Sequence, residues 1–253
     1  MDRFQAEWDR LYRAAPAASA QDAAQDLGML GPHGSARALV LELCRPADWH
    51  TLSVVWRGVQ TELGLPAPAI AVSGMDGLQL WFSLASAVPV ERAQAFLQAL
   101  RQRYLASIDP ARVRLLPRLD GVNLRHARPV PAPQLIAERW SAFVAPDLAA
   151  IFAEDPWLDA SPSPDAQASV LARLDCTKDA AFAQACKHLL PEAAALPASA
   201  TPIPLESLAP ATLAGNSAMQ DLEPRRFLQD VLNNPQIELA LRIAAAQALL
   251  QHP

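Results

Sequence analysis

The chain has 253 residues, of which 51% are hydrophobic, enough to bury a core without disulfide or metal support. Its net charge of −5 excludes a global positive field of the kind that holds a nucleic-acid backbone, so any contact with phosphate is local. The cysteines Cys44, Cys176 and Cys186 are widely spaced, which argues against a CxxC redox motif or a Cys/His zinc cluster and predicts reduced thiols.

Phe4, Trp8, Leu11 and Tyr12 recur at helical spacing and predict a first helix ending near Ala14. After a turn cluster at Gly31-Pro32-His33-Gly34-Ser35, the compact apolar run over residues 37–43 predicts a buried strand. Residues 46–64 return to a helical period through Trp49, Leu52, Val55, Trp56, Val59 and Leu63, with Asp48 as the cap and Gly64 as the stop. Residues 66–73 and 78–84 then predict two adjacent antiparallel strands joined by Gly74-Met75-Asp76-Gly77. A helix is expected over 90–107, and residues 112–116 and 122–126 can supply further strands. The order strand, helix, hairpin, helix, strand describes an α+β fold of one sheet with flanking helices.

Farther along, the apolar residues from Trp140 to Leu158 are expected to pack across the sheet or cover an edge, and helices are expected at 165–174 and 178–190. The Pro/Ala-rich stretch 191–220 reads as a linker, and 221–253 as a C-terminal helix pair suited to contact with a protein partner. The division expected is therefore an N-terminal helical segment 1–29, an α/β domain 30–160, a helical extension 161–190, the linker and the tail. No apolar run approaches the ~20 residues of a membrane span, and the acid-bearing amphipathic start lacks the pattern of a secretory signal. No membrane contact is expected, and the expected compartment is the cytoplasm.

One stretch carries a more specific likeness. Leu39-Val40-Leu41-Glu42-Leu43-Cys44, Glu62-Leu63-Gly64-Leu65 and Ser73-Gly74-Met75-Asp76-Gly77-Leu78-Gln79 follow one another in an order that resembles the polymerase domain of bacterial end-joining DNA ligases. That domain is a branch of the archaeo-eukaryotic primase superfamily. The resemblance implies a primase-polymerase-like sheet, a first strand bearing an acid-x-acid pair for magnesium or manganese, and a Ser-Gly-x-x-Gly-Leu-His motif for the nucleotide triphosphate. Glu42 and Cys44 stand where the acid pair is expected, and Gln79 where the histidine is. One carboxylate is thus replaced by a soft thiol and one cationic group by a neutral amide, a poor set for a hard metal and a triphosphate.

Asp120 is a candidate third acid beside Glu42. Glu42 reads either as a residual metal ligand or as a strand-edge acid satisfied by a nearby arginine, and Asp76 either as a ligand or as ordinary turn chemistry. Alternation puts Gln79 and Trp81 on one face of their strand, opposite Leu78, Leu80 and Phe82. If that face opens on a pocket, Ser73, Gly74, Gln79 and Trp81 are the expected ligand-binding residues, with Trp81 as a stacking surface for a base. Arg112, Arg114, Arg118, Arg125, His126 and Arg128 form a basic set that can meet phosphate or simply line an exposed edge.

Three functions fit these residues. The first is a degenerate, non-catalytic primase-polymerase-like protein that binds nucleotide or nucleic acid or acts as a scaffold, with no cofactor. The second is a divergent nucleotidyltransferase using magnesium or manganese. The third is an interaction module whose ancestral pocket is filled.

Overall fold

Two long strands with apolar residues on both faces seed a sheet that must be covered on both sides. The computed structural model describes residues 2–14, 28–31, 34–120, 123–134 and 138–189. The helices are α1 (Arg3–Tyr12), α2 (Trp49–Thr61), α3 (Val90–Tyr104), α4 (Pro164–Leu171) and α5 (Asp179–Leu189). The strands are β1 (Leu30–Gly31), β2 (Ser35–Cys44), β3 (Ala69–Val72), β4 (Gly77–Pro89), β5 (Val113–Leu116), β6 (Arg118–Asp120), β7 (Asn123–Arg125) and β8 (Ala142–Val144). The fold is α+β.

The main sheet is antiparallel throughout: β1 and β5 pair with one side of β2, and β4, β3 and β8 follow on its other side. β6 and β7 form a separate two-stranded ribbon. The expected order of strand, helix, hairpin, helix and strand is present as β2, α2, β3 with β4, α3 and β5. The edge strand β8 was not expected, because three residues are too few to show a period.

Local chemistry sets the boundaries. Asp2 caps α1 by accepting from the Phe4 N–H, and Asp48 caps α2 by accepting from the His50 and Thr51 N–H groups. At the far end of α2, Gly64 adopts φ +63° and the Leu65 N–H returns to the Val59 carbonyl, closing the helix as expected.

On one face of the sheet Leu39, Leu41, Leu43, Ile70, Val72, Leu78, Leu80 and Phe82 pack with α2, α3 and α5 residues such as Leu52, Phe96 and Phe182. Ala38, Val40, Ala69, Ala71, Trp81 and Phe143 belong to the other face, under Trp8, Leu11 and Tyr12 of α1 and Leu171 of α4. Full burial of each large side chain contributes ~1.5–3 kcal/mol. Among the described residues, α1 and α4 supply this second layer.

The chain divides into two units, Met1–Ala198 and Ser199–Pro253. The expected linker and C-terminal helix pair lie outside the described residues. Among the described residues no helix is long and apolar enough to cross a membrane.

Candidate functional site

Antiparallel register gathers the candidate residues. On β2 the side chains alternate, so Glu42 and Cys44 share the face of Val40, opposite Leu41 and Leu43. Glu42 is paired with Gln79 on β4 and with Arg114 on β5, and Cys44 with Gly77. Glu42, Gln79 and Arg114 thus form a row across three strands.

Glu42 is only 4% exposed. Burial pushes its carboxyl above the usual range, against the opposing pull of the Arg114 guanidinium and of hydrogen bonds from the Gln79 and Ser73 side chains. Arg114 Nη1 lies 3.6 Å from Glu42 Oε1 and 3.3 Å from Asp76 Oδ1, and its Nη2 lies 3.4 Å from Asp76 Oδ2. Glu42 is therefore an acid satisfied by an arginine, on an interior strand rather than at an edge. The Cys44 thiol is pushed up to about 12, first by burial and then by the Glu42 charge, and stays protonated at neutral pH.

The Ser-Gly-x-x-Gly loop is held from inside. Ser73 Oγ accepts from the N–H groups of Met75, Asp76 and Gly77 at 3.0–3.2 Å, as an anchored turn does. Gly74 has φ +79°, and a Cβ there would lie 2.7 Å from the Gln134 side chain and 2.8 Å from the Ser141 nitrogen. At Gly77 a Cβ would meet Glu42 Oε1 at 2.7 Å and the Leu43 carbonyl at 3.0 Å, so this glycine leaves the space the carboxylate fills.

Two expectations are corrected. Gln79 faces neither an open pocket nor solvent: it is 6% exposed, its Oε1 accepts from Trp81 Nε1 at 2.8 Å and its amide donates to Glu42. Trp81 offers no stacking face for a base, because it is 1% exposed and its ring lies within 5.4–5.8 Å of the rings of Trp8, Tyr12 and Phe143. The Trp81 burial comes from the layer that α1 adds.

The basic set also separates. His126 bonds the Ala38 carbonyl through Nε2 at 2.9 Å and accepts from the Ala127 N–H through Nδ1, and burial lowers its pKa to about 4. It is neutral and structural. Arg112 donates to the Arg45 and Pro46 carbonyls, fixing the chain after β2. Asp120 belongs to the β6–β7 ribbon, where its backbone pairs with Asn123, and not to the sheet that carries Glu42 and Gln79.

Beyond the loop, a cavity of about 270 Å³ is lined by Arg45, Gly74, Met75, Asp76 and Arg139. The guanidinium carbons of Arg139 and Arg45 lie 3.6 and 5.6 Å from the centre of the Trp157 ring. Among the described residues neither arginine forms an ion pair. Their juxtaposition was not legible in the sequence, where positions 45, 139 and 157 are far apart in three irregular segments. A larger hollow of about 530 Å³ between α3 and β5 is lined by Glu91 and by Arg114 and Arg118 of the basic set, and holds none of Glu42, Ser73, Gly74, Gln79 and Trp81.

The metal that the resemblance implies is magnesium or manganese. Ligand atoms of Glu42, Cys44 and Asp76 lie within 4.8 Å of one another. Magnesium and manganese call for oxygen ligands, whereas this group offers two carboxylates and a protonated thiol with a guanidinium already against both acids. The residues do not fit a hard divalent cation.

Comparison of the chain with protein-family models and with curated proteins found no match.

Proposed function

We propose that the chain is a primase-polymerase-like protein without catalytic activity that binds the phosphates of a nucleotide or nucleic acid at the Arg45–Arg139 cavity. The strand-helix-hairpin-helix-strand order, with the Ser73–Gly77 loop next to Glu42, supports the likeness to that superfamily. The observation that carries the binding reading is the pair of arginines that form no ion pair among the described residues, oriented by Trp157 beside a cavity large enough for a phosphate group. Guanidinium groups suit this task because their planar donors match phosphate oxygens, and stacking on an indole reduces the freedom lost on binding.

The catalytic alternative is disfavoured by the same geometry. Two-metal nucleotidyl transfer needs several ionised carboxylates facing a cation, and here one buried acid has a raised pKa while Arg114 neutralises it and Asp76 together.

The test is calorimetric titration of the full chain with ATP and with a short single-stranded DNA, with and without magnesium. Binding that is independent of magnesium is expected. The Arg45→Ala/Arg139→Ala double variant should weaken it by about 10- to 100-fold, the loss of one or two charge-assisted hydrogen bonds. For DNA the slope of log affinity against log salt should become shallower by about 1.4. Equal affinity in the parent and the double variant would refute the site.

A further inference from the structure

We infer that Arg114 is a built-in cation: its guanidinium stands between Glu42 and Asp76 in place of a metal, and removing it exposes a latent site for a borderline ion such as cobalt(II) or zinc(II). The inference goes beyond phosphate binding and does not depend on it. It rests on register, because Glu42 and Arg114 are direct cross-strand partners, and on reach, because one guanidinium lies 3.3–3.6 Å from both carboxylates.

The remaining groups have the makings of a coordination shell. Glu42, Cys44 and Asp76 present one sulfur and two oxygen donors within 4.8 Å, a mixture that favours zinc or cobalt over magnesium. Ser73 and Gln79 already hydrogen-bond Glu42, as outer groups that orient a ligand do, and Gly77, having no side chain, leaves room for the Glu42 carboxylate. The Arg114 side chain is half exposed, so the guanidinium closes the site from the solvent side and its loss opens a path for an ion. Metal capture would form a metal–sulfur bond at Cys44 and release the thiol proton to solvent, with no change in oxidation state.

Cobalt(II) titration of the full chain, with Cys176 and Cys186 changed to serine so that Cys44 is the remaining thiol, reads this directly. The chain with Arg114 intact should give no thiolate-to-cobalt charge-transfer band in the near ultraviolet. Arg114→Met should gain the band, and adding Cys44→Ser should abolish it. Arg114→Lys, which keeps a cation, should stay silent, and Arg114→Gln serves in place of the methionine variant if that one does not fold. A Cys44-dependent band with Arg114 present, or an equal band with lysine, would overturn the inference. So would its absence from a folded methionine or glutamine variant.

Discussion

One face of the sheet has two ends with opposite chemistry. At one end Trp8 and Tyr12 of α1 interlock with Trp81 and Phe143, and at the other Glu42, Gln79 and Arg114 sit in register beside Cys44. The bond from Trp81 Nε1 to Gln79 Oε1 joins the two. With Trp81 sealed by α1, Gln79 bridges the aromatic core and the buried acid.

Each end can be broken separately. The largest effect is expected from Trp81→Ala, which removes a 1%-exposed ring from the aromatic cluster and leaves Gln79 without its partner. A loss of ~3–5 kcal/mol should appear as a lower urea midpoint.

Next come the two buried titratable groups, whose pH effects have opposite signs. His126 is held neutral in the fold, with its pKa lowered from 6.5 to about 4. Between those values the unfolded chain binds the extra proton, so stability is full above 6.5 and falls as pH drops toward 4, by as much as ~3 kcal/mol. Urea titrations across that window, with His126 followed by NMR, check both the size and the residue responsible. Glu42 runs the other way: its folded pKa is raised, so the folded chain holds the proton above 4.5 and stability falls as pH rises through the folded value.

The smallest effect is expected at the acid itself. In Glu42→Gln an amide oxygen can still accept from Ser73 and Gln79 while the buried charge is gone, so at neutral pH the variant should gain on the order of 1 kcal/mol. A loss of several kcal/mol would mean that the Glu42–Arg114 pair stabilises the sheet more than burial of the carboxylate costs.

Much of the fold was legible because it obeys short-range rules. Helical spacing revealed α1, α2 and α3, Asp48 and Gly64 marked the ends of α2, and alternation assigned Gln79 and Trp81 to one face. The site was legible only in part. Glu42, Ser73, Gly74 and Gln79 stood out by resemblance, but nothing local to β4 reveals that α1, some 70 residues earlier in the chain, covers Trp81. His126 looked cationic beside its arginines because desolvation has no signature in sequence.

By itself the sequence determined the kinds and order of the elements from β2 to β5 and the two-residue rhythm that sets Glu42 and Cys44 on one side of β2. Tertiary structure alone decided which partners they meet. Pairing between β2, β4 and β5 brings residues 42, 79 and 114 into one row, and three irregular segments bring Arg45, Arg139 and Trp157 together. The physical reason is range: caps and periodicity act within a few residues, whereas register, burial and the charge each acid meets arise from contacts between distant parts of the chain.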